Sequence, residues 1–237
     1  MAVAFGSSST LAEGTRSNSS YTAPAGIVDG NLLLLWHFEF LAAAGAPAAT
    51  PPSGFAAVPG ATWPAALTIG GNGFSQDFWY KIASSESGNY ATTHASCTTR
   101  GMIACVTGND TGTPFIPNPT QGSNPFSTSG TTTTFTGLTT TVNSELILCF
   151  ASDDNDAGAN LTAPAGTTPT FTEQVDDNHG NYLCTGVLSP AGATGNKTMT
   201  NNSTGGVGFF SSMVAVQPLT GAAAVVVAAP RRMPLSL

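Results

Sequence analysis

The sequence predicts an all-β protein, an antiparallel two-sheet sandwich of jelly-roll type built from two interleaved copies of one repeat. Three observations carry this expectation. Short segments of alternating apolar and polar residues recur at roughly 8–12-residue spacing, broken by Gly and Pro. No segment keeps the apolar spacing of a helix for longer than two turns. The chain also repeats itself in order. Gly30-Asn31-Leu32-Leu33-Leu34-Leu35-Trp36 returns as Ser144-Glu145-Leu146-Ile147-Leu148-Cys149-Phe150, and Pro52-Ser53-Gly54 as Pro164-Ala165-Gly166. Ser87–Thr92 returns as Thr194–Met199, and Met102–Cys105 as Met213–Val216, with all four offsets between 107 and 114. A fixed order of matches at a nearly constant offset is the mark of an internal duplication.

Residues 1–21 are Ser-rich and read as an N-terminal arm or first strand. The sandwich body spans 22–218, with repeat one at about 22–108, a linking loop at 109–130 and repeat two at about 131–218. Ala23–Gly30 is turn chemistry leading into a strand. In Leu32–Phe40 the even positions are all apolar, while the odd face passes from Leu33 and Leu35 to His37 and Glu39. This predicts a central strand whose end emerges into solvent. Leu146, Leu148 and Phe150 keep the parity of Leu32, Leu34 and Trp36, as two strands burying the same face must. Further strands are expected at Phe55–Val58, Phe78–Ile82, Tyr90–His94 and Gly101–Val106, then at Thr131–Thr136 and Leu138–Val142. Thr170–Val175, Tyr182–Leu188, Lys197–Asn201 and Phe209–Val216 complete the set. Four prolines in 109–130 favour a loop there. One sandwich holding both copies is preferred to two small ones, since each half alone buries little surface.

Residues 219–237 stand outside the repeat. Left exposed, Val225, Val226 and Val227 are an aggregation hazard. With Arg231, Arg232 and Leu235 they are expected to form an assembly tail that docks on a neighbouring subunit.

Only 8% of the residues are charged, against 41% hydrophobic, so the chain folds but presents a surface of Ser, Thr, Asn and Gly. Such a surface is weakly protected against self-association. The net charge is −7, and the whole chain has six Lys and Arg, which argues against nucleic acid as a partner. No apolar run is long enough for a membrane span, and no leader with a basic start and an apolar core is visible. Cys105 and Cys149 fall inside apolar strand patterns and read as small buried hydrophobes, pointing to synthesis in a reducing compartment. Cys97 and Cys184 form no CxxC pair, and no His is read at metal-ligand spacing from any cysteine.

Signals for chemistry are sparse. Trp36 has the parity of the core; Trp63 in a loop and Trp79 opposite Phe78 and Tyr80 are the candidate ligand-binding aromatics. His37, His94 and His179 are expected at strand ends or in loops, on the surface. No G-x-S-x-G elbow and no phosphate loop occurs. Glu39 and Glu86 qualify as a glycosidase pair only by being carboxylates. No catalytic residue is assigned and no enzyme activity is expected. Asp153, Asp154, Asn155 and Asp156 are the calcium candidates. Ala157 stands where an EF-hand ligand belongs and Pro164 where its glutamate belongs, and Asp/Asn loops equally serve as turns. Apart from calcium, no cofactor is expected.

The half-repeat combines Asp29-Gly30-Asn31-Leu32-Leu33-Leu34, Pro52-Ser53-Gly54-Phe55, Trp79-Tyr80-Lys81-Ile82-Ala83, Gly88-Asn89-Tyr90-Ala91-Thr92 and Arg100-Gly101. This resembles β-sandwich proteins encoded among the structural genes of tailed bacteriophages, over about residues 22–218. The usual aromatic after P-x-G is Trp; Phe55 and Thr167 replace it here. The resemblance implies a virion component, made in the host cytoplasm and contacting capsid or tail subunits and copies of itself. The acidic, sparsely charged surface favours a capsid decoration protein. The alternative is a tail- or fibre-associated carbohydrate-binding module using Trp63 or Trp79.

Overall fold

Leu32–Leu41 is apolar on both faces over its first half, and a strand of that kind can only lie inside a sheet covered on both sides. In the computed structural model it does so as β2. The structure describes residues 2–43, 45, 48–60, 65–69, 71–115, 120–127, 132–153, 161–165, 168–177, 180–201 and 207–219. These form β1 (Ala4–Tyr21), β2 (Leu32–Leu41), β3 (Ala56–Ala57), β4 (Ala65–Ile69), β5 (Asn72–Ile82), β6 (Tyr90–Thr107) and β7 (Thr120–Ser127). The second part adds β8 (Thr132–Phe135), β9 (Glu145–Asp153), β10 (Leu161–Ala165), β11 (Thr172–Asp176), β12 (Asn181–Leu188), β13 (Lys197–Asn201) and β14 (Val207–Val216). The all-β, antiparallel expectation therefore holds, with no helix among the described residues.

The first sheet runs β1-β6-β2-β5-β3, with β4 also on β5; the second runs β11-β12-β9-β14-β7; β10-β13-β8 makes a small third sheet. The halves do not interleave. Every strand before Gly108 stays in the first sheet, because each finds its antiparallel neighbour within its own half. The two large sheets nonetheless share one order, with β6-β2-β5 matched by β14-β9-β12. Opposite Leu34 lies Ala104, and opposite Leu148 lies Val214. Aligned on β2 and β9, Ala104 thus corresponds to Val214. The sequence match of Met102 to Met213 is one residue out, a slip that swaps sheet faces.

The two sheets share a core. Leu32, Leu34, Trp36, Phe78 and Met102 pack with Leu146, Leu148, Phe150, Leu183 and Val214. Trp36 stacks on Phe150 at 5.8 Å and meets Phe78 edge-on at 5.2 Å. Its indole Nε1–H donates to Ser152 Oγ at 2.6 Å, so the polar edge of the buried ring is satisfied across the two sheets.

Each sheet also buries its outer face. On the second sheet, Phe135 of β8 and Met199 of β13 cover Ile147, Cys149, Tyr182 and Met213. On the first, one ribbon does this work. β6 pairs with β2 only from Thr98 to Val106; from Tyr90 to Thr93 it pairs with β1 and carries Tyr90 and Tyr21 onto Leu33, Leu35, Trp79 and Ile103. Tyr90–His94 and Gly101–Val106 are therefore one strand, bent by three register shifts against β1. Gly101 permits the fold-back: a Cβ there would collide with the Trp36 carbonyl oxygen and the Tyr21 hydroxyl.

Three further expectations change. The linking loop contains β7, whose Pro125 lies at a register shift on an edge strand, where a missing N–H does no harm. Leu138–Val142 is no strand and makes a single bridge, Thr139 to Ala193. The end of β2 does not emerge, since His37 and Glu39 are both fully buried.

Leu148→Ala is expected to lower the unfolding free energy by about 2–5 kcal/mol in urea denaturation, as for other buried leucines. Val187→Thr, at a half-exposed position, should change it by less than about 0.5 kcal/mol. Gly101→Ala should lower it by about 1–3 kcal/mol through the collision it forces.

Candidate functional site

The odd face of β2 turns polar under the ribbon, and there the structure gathers its chemistry. His37 and Glu39, two apart on one strand, share a face, with Ser75 opposite Glu39 and Asp77 opposite His37 on β5. His94 arrives from β6. Arg16 pairs with Cys97 and Asn18 with Thr93, so residues 94–96 bulge out of the ladder. A bulge of this kind re-aims side chains.

The hydrogen bonds fix the tautomers. Glu39 Oε1 can only accept, so His37 Nε2–H donates to it at 3.3 Å and Tyr21 donates to His37 Nδ1. The Ala95 carbonyl can only accept, so His94 Nδ1–H donates to it at 2.8 Å, with Glu39 Oε1 3.6 Å away. His94 Nε2 then accepts from Ser19 Oγ at 3.0 Å, and Ser19 Oγ meets Thr99 Oγ1 at 2.9 Å. Ser75 Oγ donates to Glu39 Oε2 at 3.0 Å. Cys97 Sγ lies 3.5 Å from His94 Nδ1. One nitrogen of each histidine and one oxygen of Glu39 lie within 4.8 Å of one another, a spacing that one cation can bridge.

Burial dominates the electrostatics. It lowers the pKa of His37, against the pull of Glu39. It raises Asp77 to about 7, helped by the like charge of Glu39. Asp77 Oδ2 has no hydrogen-bond partner among the described residues. Burial, then Glu39, pushes the Cys97 thiol up to about 12, which keeps it neutral when no cation is present.

These positions correct several sequence expectations. His37 and His94 are not surface residues; both side chains are fully buried. Trp79 is 3% exposed and stacks on His37 at 5.8 Å, so it presents no ring to a ligand. His94 and Cys97 do stand at ligand spacing, brought together by the bulge. Glu39 and Glu86 do not converge: Glu86 lines a surface depression of about 480 Å³. There it takes an ion pair from Lys81 at 2.7 Å and a hydrogen bond from Tyr90 at 3.1 Å. All four cysteines are free and buried. Asp177 caps a turn, accepting from the Asn181 backbone at 3.0 Å and side chain at 2.7 Å.

Asp153 ends β9, but its side chain lies outside the described residues, as do Asp154, Asn155, Asp156, Trp63 and His179. Tail residues Val225, Val226, Val227, Arg231, Arg232 and Leu235 lie outside them too. The signal for the buried cluster was present as His37-x-Glu39 and His94-x-x-Cys97. What the sequence hides is the ribbon that places one pair on the other. No protein-family model, curated protein or solved structure matches the chain.

The opposed shifts give a pH test. A raised Asp77 pKa means the folded state holds this proton more tightly than the unfolded chain, so stability is lost as pH rises from about 4 to about 7. The lowered His37 pKa acts in the other direction, removing stability as pH falls below about 6.5. Asp77→Asn deletes only the first effect. With chelator present, its stability advantage over the parent should grow from pH 4 to 7 and level off at about 2 kcal/mol, roughly half of what a rise of the Asp77 pKa to about 7 is worth in full. A pH-independent difference in urea titrations would refute this.

Proposed function

We propose that this chain is a structural virion protein of a tailed phage, a capsid decoration protein that acts through protein–protein contacts and has no catalytic role. The observation that carries this reading is where the charge lies. Few residues are charged, and His37, Glu39, Asp77, Arg100, Glu145 and Lys197 are buried. What is left outside the core is sparsely charged and acidic, in a chain rich in hydroxyls and amides. That suits close packing against neighbours better than steering of a charged ligand. A long strand, β1, borders the first sheet and has no second strand neighbour among the described residues. The sequence motifs that resemble phage structural proteins point the same way.

The binding-module alternative rests on exposed aromatics, and the burial of Trp79 removes one of its two candidates. Quantitative mass spectrometry of purified particles discriminates the readings. Hundreds of copies per particle are expected for a decoration protein. A handful would place the chain in the tail or fibre, and absence from the particle would overturn the virion reading.

A further inference from the structure

We propose that His37, Glu39 and His94 hold a divalent transition metal of the zinc class, with the adjacent Cys97 closing on it as fourth ligand, and that the metal pins the β1–β6 ribbon to the first sheet. The proposal is independent of the virion reading. It stands on the spacing of the ligand atoms, on the groups behind them and on charge.

Zinc takes N, O and S ligands tetrahedrally with bonds of about 2.0–2.3 Å, which sets neighbouring ligand atoms about 3.3–3.7 Å apart. Here His37 Nε2 to Glu39 Oε1 is 3.3 Å and His94 Nδ1 to Glu39 Oε1 is 3.6 Å, and these three residues bring their ligand atoms within 4.8 Å of one another. Cys97 Sγ, 3.5 Å from His94 Nδ1, stands just outside that set and completes it by turning toward His37 when the cation binds. Metal-bound imidazoles are held by a hydrogen bond on the other ring nitrogen. Both histidines have that partner, Tyr21 on His37 Nδ1 and Ser19 on His94 Nε2. Glu39 is held at its second oxygen by Ser75. Asp77, the residue opposite His37 on β5, adds a buried oxygen, Oδ2, with no hydrogen-bond partner among the described residues.

The protons balance without redox change. Each imidazole stays neutral and shifts its proton, His37 from Nε2 to Nδ1 and His94 from Nδ1 to Nε2; His94 thereby gives up its bond to the Ala95 carbonyl, which turns away within the 94–96 bulge as the cation takes the proton's place. His37 then donates to Tyr21, and His94 to Ser19. Cys97 releases its thiol proton to solvent, as metal coordination enforces. The cation's two positive charges then meet one carboxylate and one thiolate, leaving the first shell neutral, as a dry site requires. With Cys97 closed on the metal no position is left open, which makes the site structural.

The test uses the full chain, purified from zinc-supplemented culture. Elemental analysis should find one zinc per chain. Removing it should lower the melting temperature by about 5–10 °C, and zinc should restore it. Cobalt(II) in its place should give tetrahedral visible bands and a thiolate charge-transfer band. Because Glu39→Gln risks misfolding, Cys97→Ser is the decisive variant: it should stay folded and lose the charge-transfer band. A band that persists in Cys97→Ser overturns the four-ligand assignment. No retained zinc and no melting shift overturns the site.

Discussion

Every layer of this protein answers to one constraint: its two central strands are apolar on both faces. Leu33 and Leu35 of β2, and Ile147 and Cys149 of β9, point away from the core shared by the sheets, yet all are fully buried. A sheet with such strands at its centre needs a cover on each side. The sheets supply one cover to each other. The outer covers come from within each half, as the folded-back end of β1 and β6 on one side and as β10-β13-β8 on the other.

The same constraint explains the polar cluster. Where the outer face of β2 changes from Leu35 to His37 and Glu39, the cover continues, so ionisable groups are enclosed. Buried polar groups must then find partners. Tyr21, Ser19, Ser75 and Thr99 provide them, and the bulge at 94–96 brings His94 and Cys97 into range. In the second half the place of Glu39 is taken by Asp153, whose side chain lies outside the described residues, and the place of His37 is apolar. Ala151, 114 residues after His37, packs in an apolar cluster. The histidine of this cluster is therefore particular to the first half, although both halves share one strand order.

The sequence was most legible where local pattern decides structure. Period-two alternation located β2, β5, β9, β12 and β14, and parity placed Leu146, Leu148 and Phe150 in the core. It was least legible where distant backbone decides. His37 and Glu39 look like a strand emerging into water unless the ribbon that covers them is known. Trp79 looks half-exposed for the same reason. The edge strand β7 was hidden by Pro125, a residue that edges tolerate and central strands do not. The slip between Met102 and Met213 shows that residue identity alone misleads where registers differ by one.

The central claim is that both halves stand or fall on one shared core, joined at Trp36, Phe150 and Ser152. Native-state hydrogen exchange under increasing denaturant tests it most directly. The amides of Leu32–Phe40 and Leu146–Phe150 are expected to exchange slowest and to lose protection together in one step. Protection that disappears from one set while the other persists would mean two independent units, and would contradict it.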